Sequence, residues 1–359
     1  MNCVTLALTA RLLAPLAGLT AAAPSRPNII LVMPDLPTST LQMTCSFSRK
    51  TAAVLSLWLL SSVGAAAADA AALQATMERL RKVEVPSAQR ILMDQVYDSA
   101  HAERCRFDLY LPKTEKPSPL VVYFHGGGWT YGTRLGIRSP LFMPVLEQLL
   151  ANGVAVAAVE YRFAVDGTTV RDCIRDCFAA VAFLTANDPQ GLLLPDRIAV
   201  LGDSAGGHLG LMVALADPAL FLSASDPKPV RVRGLVVWYA ASDFTSAAGW
   251  SDERRVTSLI ARFGATRLDD PVVTLLSPVT HLKPTSPPIL CVQGDGDTSV
   301  LLRQAQILEK RAVEVRAPVR LRVVRNAGHN WREAGGAIDP GKEEIQRLTA
   351  RTLVDAVRR

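Results

Sequence analysis

Short apolar runs alternate with amphipathic stretches along most of this chain. Residues 120–124 (Leu-Val-Val-Tyr-Phe) form an unbroken apolar run, the pattern of a strand buried on both faces of a parallel sheet. Residues 154–159, 198–201, 235–238, 289–292 and 321–324 read as further strands, and 170–185, 300–312 and 343–357 carry helical spacing between and after them. Two earlier stretches, 90–97 and 104–111, alternate apolar and polar positions and are expected to pair antiparallel at a sheet edge. An amphipathic run over 73–81 precedes them as a lead-in helix. The alternation predicts an α/β domain over 71–359, with a mostly parallel central sheet and helices on both faces. Residues 217–231 and 240–288 are the longer irregular stretches. The second is expected over the C-terminal edge of the sheet, as pocket wall or partial lid.

The first seventy residues follow a different pattern. Residues 1–23 are apolar with one arginine and end in three alanines. A better export signal starts at Met43: Arg49 and Lys50, an apolar core over 51–63, and the small-x-small site Ala68-Asp69-Ala70. That core is short for a membrane span. Residues 43–70 are therefore read as a signal peptide, with export to the periplasm or beyond. Residues 1–42 are read as an upstream extension or a fusion. Within them, 26–35 resembles the opening strand of the sulfatase family, but Leu36 and Pro37 stand where its second metal aspartate would follow, and no function is assigned to it.

Composition changes this picture little. The net charge is +6, but the basic residues are scattered. Arg316, Arg320, Arg322 and Arg325 line one strand and its flanks without interleaved aromatics, which argues against nucleic-acid binding. None of the six cysteines forms a C-x-x-C pair, so a zinc ribbon or a thioredoxin-type site is not expected. Cys173 and Cys177 share a helix face, where two free or buried thiols are favoured over a bridge.

The chemistry concentrates at 202–207, Gly-Asp-Ser-Ala-Gly-Gly. A strand precedes it and a helix follows, which is the setting of a nucleophile elbow. Gly202 and Gly206 permit close backbone approach, and the helix start aims N–H groups at the Ser204 hydroxyl. Neither G-x-G-x-x-G nor a P-loop Gly-Lys-Ser/Thr stands here. An acyl-transfer serine needs a base, a group that orients the base, and donors for an oxyanion. Of five histidines, His329 lies in a glycine turn just past a strand and is taken as the base. His125 is read as propping the glycine loop after it, His208 as a hydrogen-bonded structural residue, and His101 and His281 as surface or loop residues. Asp295 and Asp297 both follow the strand at 289–293 and could orient the base or merely cap the next helix. The backbone N–H groups of Ala205, Gly127 and Gly128 are the candidate oxyanion donors. Trp129 and Trp331 flank these motifs as candidate substrate-binding residues, with core packing the equal alternative.

Together, 125–129 (His-Gly-Gly-Gly-Trp), 160–162 (Glu-Tyr-Arg), 196–198 (Asp-Arg-Ile), 202–208, 277–279 (Ser-Pro-Val), 294–297 and 328–329 resemble the hormone-sensitive-lipase-like branch of the α/β-hydrolases. They are nearest to its exported esterase and lipase group, which includes acetyl-xylan- and feruloyl-esterase-like members. The resemblance runs from about residue 73 to the C-terminus. It implies the α/β-hydrolase fold and a serine carboxylesterase working through a Ser204–Asp297–His329 triad and an acyl-enzyme. It also implies no metal and no organic cofactor. In that group the acid is the second aspartate of G-D-x-D-x-x-V-P, which selects Asp297, although Leu301 replaces the proline. Glu160 stands where an aspartate is commoner. The absence of an extended apolar cap segment favours short, acetyl-like acyl groups on a small-molecule or carbohydrate ester. The partners expected are that substrate alone, with no nucleic acid and no stable membrane insertion after signal cleavage. The alternatives are an arylformamidase-like amide hydrolase and a non-catalytic binding protein on the same scaffold.

Overall fold

A computed structural model describes residues 74–359 except 187–190, 225, 228 and 230. The expected signal peptide, the extension before it, Cys3 and Cys45 lie outside the described residues. A helix over 74–81 (α1) leads into β1 (Ala88–Val96), β2 (Arg106–Pro112), β3 (Ser118–Phe124) and α2 (Met143–Ala151). Then come β4 (Ala155–Val159), α3 (Val170–Ala186), β5 (Leu193–Asp203), α4 (Ser204–Leu215) and β6 (Gly234–Trp238). The chain continues through α5 (Glu253–Ile260), α6 (Pro271–Leu275), β7 (Ile289–Gly294), α7 (Leu302–Val315), β8 (Val319–Val324) and α8 (Lys342–Arg358).

The strands form one eight-stranded sheet in the order β1-β2-β4-β3-β5-β6-β7-β8. β1 and β2 pair antiparallel at one edge, β2 meets β4 antiparallel, and every later pairing is parallel. This is the expected α/β-hydrolase architecture, and the unbroken apolar runs are explained by it. Leu120, Val122 and Phe124 of β3 enter one core with residues of α3, α4 and α7, while Val121 and Tyr123 enter a second core with residues of α2 and α8. Because side chains alternate across a strand, β5 divides the same way, with Ile198 and Val200 on one face and Ala199 and Leu201 on the other.

Three features depart from the sequence reading. β5 begins at Leu193 rather than 198, because Leu193 pairs with Ser118 across a register shift. Pro195 and the charged Asp196 and Arg197 are part of the strand and hide it from a hydrophobicity pattern. α2 was not anticipated. It is only nine residues long and follows a stretch rich in Arg, Gly and Pro, yet Val145, Leu146, Leu149 and Leu150 make an apolar stripe that is wholly buried. The stretch 240–288, read as irregular, holds α5 and α6, capped by the Asp252 and Asp270 carboxylates on the N–H groups of Arg255 (2.8 Å) and Val272 (2.9 Å). The five-residue α6 is too short to display a period, and the eight-residue α5 shows one only through Val256, Leu259 and Ile260.

That stretch joins the core. Phe244 and Phe263 meet the Trp129 ring at 6.0 Å between centroids, and the same aromatic group surrounds His208. His208 is fully buried: its Nδ1 accepts from the Trp129 indole N–H (3.2 Å), and its Nε2 donates to the Leu276 carbonyl (2.8 Å). Burial lowers its pKa to about 4. Cys105, Cys173, Cys177 and Cys291 are free and buried, and burial pushes the Cys105 and Cys291 thiols up to about 12.

Leu146→Ala empties a wholly buried site between α2 and the sheet and is expected to lower the unfolding free energy by about 2–5 kcal/mol in urea denaturation. His208 binds its proton more weakly folded than unfolded, so its contribution to stability is complete above the unfolded pKa near 6.5 and falls away as the pH drops toward about 4. Urea denaturation at pH 7 and pH 4 should show a loss to which His208 contributes about 3 kcal/mol. His208→Gln should remove most of that slope.

Candidate active site

Ser204 stands at the junction of β5 and α4, with φ at +50°. Two close approaches create this geometry. A Cβ on Gly202 would collide with the carbonyl oxygen of Gly206, and a Cβ on Gly206 with the carbonyl oxygens of Phe124 and His125. Only glycine fits at either position, and the turn between them holds Ser204 in a left-handed conformation that costs about 1–3 kcal/mol. Its hydroxyl is thereby lifted off the helix start at the C-terminal edge of the sheet.

His329 arrives in a 3-10 turn after β8, preceded by Gly328. Its Nε2 lies 3.1 Å from Ser204 Oγ, and its Nδ1 lies 2.7 Å from Asp297 Oδ2. A carboxylate accepts, so Nδ1 carries the hydrogen and the Nε2 lone pair faces the serine hydroxyl. Asp297 is 3% exposed. Its Oδ1 accepts from the backbone N–H groups of Ser299 (2.8 Å) and Val300 (3.0 Å), and its Oδ2 also accepts from the Gln293 amide (3.3 Å). One oxygen holds the turn before α7 and the other the imidazole; the helix itself starts at Leu302 behind Leu301 with no side-chain cap, so neither Asp297 nor Asp295 caps it. Asp295, two residues earlier, is exposed. The His329 ring rests on Tyr239 at 4.5 Å between centroids. Positive φ angles recur around it, at Tyr239 (+40°), Asn330 (+59°) and Trp331 (+54°). Such strain collects where a fold over-determines its geometry.

The glycine loop after β3 lies beside the elbow. Gly127 and Gly128 have φ of +125° and +56°, and a Cβ on Gly127 would collide with the Tyr131 carbonyl. The loop is tied to the elbow by Asp203, whose Oδ1 accepts from the Gly126 N–H (3.0 Å) and the Tyr123 hydroxyl (3.0 Å). Burial pushes the Asp203 carboxyl up, with the Tyr123 hydroxyl and His125 opposing it. Ala205 lies in the first turn of α4, where backbone N–H groups have no partner within the helix.

The two tryptophans are a correction to the pocket reading. Trp129 is 3% exposed and packed among Phe244, Phe263 and His208, and Trp331 is 1% exposed against Trp238 and Tyr239. Both are core residues that shape the loops carrying them, because the apolar faces of the indoles gain more from these aromatic neighbours than from solvent. Asp203, Glu160 and Tyr239 were missed as site residues. The first two were visible as acids inside recognised motifs, while Tyr239 gave no signal. Among the described residues, Asp98, His101 and Cys105 are grouped closely enough to ligate a metal. However, Arg162 Nη1 lies 3.2 Å from His101 Nε2 and Arg175 Nη1 lies 3.8 Å from Asp98. None of the three belongs to the Ser204 hydrogen-bond chain.

A serine hydroxyl hydrogen-bonded to an imidazole, which a buried carboxylate fixes in turn, can attack a carbonyl carbon. Known proteins bear on this arrangement. Over 231 residues the chain is 29% identical to the esterase LipC of Mycobacterium tuberculosis, covering 62% of this chain and 55% of LipC. Over 157 residues it is 33% identical to a kynurenine formamidase of Danio rerio, covering 42% of this chain and 46% of that enzyme. The chain thus spans about half the length of these curated relatives. A truncated carbohydrate esterase from gut microbiota shares the fold, with a TM-score of 0.61 at 20% identity over 77% of this chain and 99% of that one. The BD-FAE family model matches residues 107–312, more than half of the chain, from within β2 to within α7. On that match the chain belongs to the BD-FAE family, within the α/β-hydrolase esterases and lipases.

Proposed function

We propose that this chain is a serine carboxylesterase acting on short-chain, acetyl-like esters, including esters borne on carbohydrate. The observation that carries the reading is the unbroken hydrogen-bond chain from Asp297 through His329 to Ser204. His329 takes the proton of Ser204 as the oxygen attacks the ester carbonyl, and Asp297 holds the imidazole tautomer and stabilises the imidazolium. The N–H groups of Gly127, Gly128 and Ala205 receive the tetrahedral oxyanion. His329 then returns its proton to the departing alcohol, and water, activated by the same imidazole, cleaves the acyl-enzyme. The preference for a short acyl group rests on the sequence, in which no extended apolar cap segment stands between the strands. A second reading, amide hydrolysis of a formyl group, is favoured by the likeness to a kynurenine formamidase.

Initial rates on p-nitrophenyl acetate test the proposal. Ser204→Ala and Asp297→Asn should each lower kcat by a factor on the order of 10⁴. Asp295→Asn, at an exposed carboxylate, should leave the rate within about twofold, since substitutions of exposed surface groups are usually mild. An inert wild type, or a Ser204→Ala protein as fast as wild type, would leave a non-catalytic binding protein instead. Among acyl lengths, kcat/KM for the acetate should exceed that for the octanoate by about tenfold or more. Faster turnover of N-formylkynurenine than of any ester would move the assignment to the amide hydrolases.

A further inference from the structure

His125 and Glu160 stand outside the Ser204–His329–Asp297 chain, and both are almost wholly buried, at 2% and 3% exposure. They follow β3 and β4, parallel neighbours whose last residues, Phe124 and Val159, are paired. The His125 ring is boxed in. Tyr161 stacks on it at 4.5 Å and 15°, Phe163 meets it edge-on, and Gly132 backs so closely against Nδ1 that a Cβ there would collide. Nδ1 lies 2.7 Å from the carbonyl oxygen of Gly126, and Nε2 lies 3.0 Å from Oε1 of Glu160.

These contacts define where the ring's hydrogens are. A carbonyl oxygen only accepts, so Nδ1 carries a hydrogen. On the other side, Glu160 Oε2 accepts from the Thr133 hydroxyl (3.3 Å), the Arg134 backbone N–H (3.2 Å) and Arg134 Nη1 (3.2 Å). Three donors converge on that oxygen, one of them the Arg134 guanidinium, and together they favour the ionised carboxylate. An ionised carboxylate also only accepts, so Nε2 carries a hydrogen too. A ring protonated on both nitrogens is an imidazolium. The charge chain continues outward through Arg134, which pairs with Asp108 at 2.9 Å and with Asp94.

The consequence falls on the glycine loop. The carbonyl of Gly126 and the N–H of Gly127 belong to one planar trans peptide group and point in opposite directions. Holding the carbonyl on His125 therefore fixes the direction of the Gly127 N–H. Asp203 fixes the preceding peptide group through the Gly126 N–H. A cation hydrogen-bonded to the carbonyl also draws electron density toward its oxygen, which makes the N–H of the same group a stronger donor. We propose that Glu160 is a positioning residue for oxyanion stabilisation: it keeps His125 as an imidazolium that aims and polarises the Gly126–Gly127 peptide. The proposal rests on the esterase reading above.

The test compares wild type, Glu160→Gln and Glu160→Asp on p-nitrophenyl acetate and on its thiono counterpart, in which sulfur replaces the carbonyl oxygen and the oxyanion donors lose their target. Active sites are titrated with a p-nitrophenyl phosphonate, so that kcat refers to competent enzyme. For Glu160→Gln, kcat on the oxygen ester should fall about tenfold or more with KM little changed, and the oxygen-to-thiono rate ratio should fall by a similar factor. Glu160→Asp should recover most of both. Equal losses on the two esters, or an unchanged ratio, would overturn the proposal. The nitrogen NMR signals of ¹⁵N-histidine-labelled wild type at neutral pH decide independently of activity, and of whether the glutamine variant folds. Hydrogens on both His125 nitrogens support the proposal, and one bare nitrogen sinks it. A wild type inert on both esters but showing that imidazolium would refute the esterase reading alone.

Discussion

The close contact between the first turn of α4 and the end of β3 is the constraint on which the site depends. Gly206 meets the Phe124 and His125 carbonyls, and Gly202 meets Gly206, with no room for a side chain at either point. That approach forces Ser204 into its positive φ and brings the glycine loop after β3 beside the helix start. Two parallel strands that are neighbours in the sheet, β3 and β5, thus deliver the hydroxyl and the candidate oxyanion donors to one place. His329 and Asp297 follow β8 and β7, three and two strands beyond β5. The sheet spaces the groups, and the loops at its C-terminal edge aim them.

Burial of charge is concentrated on one flank of this edge. Glu160, Arg134, Asp108 and His125 are all nearly inaccessible to water. Isolated buried charges would each cost several kcal/mol, and mutual pairing offsets that cost only when the geometry is tight. Such a cluster is a weak source of stability. It does define direction, because Glu160 and Arg134 each hold several partners at once. The antiparallel β1–β2 pair supplies Asp94 and Asp108 to it, so the edge hairpin contributes to the loop beyond completing the sheet.

Much of this was legible in the sequence wherever one residue type has few alternatives. Strands buried on both faces, such as β3, announce themselves as unbroken apolar runs, and the Gly-x-Ser-x-Gly turn has few uses between a strand and a helix. Asp297 could be separated from Asp295 only by likeness to a family, since both follow β7. In space they differ sharply, one buried against His329 and the other exposed. The parts that escaped depend on partners distant in sequence. α2 is defined by its buried stripe rather than its composition, and β5 starts early because Leu193 finds Ser118. The tryptophans read equally well as pocket or core until Phe244 and Phe263, more than a hundred residues beyond Trp129, are seen to enclose it. Tyr239 acquires a role only because the fold lays it under His329.

The buried thiols carry a last consequence. All four described cysteines are free and buried, so no sulfur cross-link ties the described part of the fold together. Its integrity is therefore indifferent to the redox poise around it. Burial also keeps these sulfurs in the unreactive thiol form. A thiol-specific reagent can reach them only when the domain opens, so the rate at which they are labelled is a clock for the opening of the fold itself.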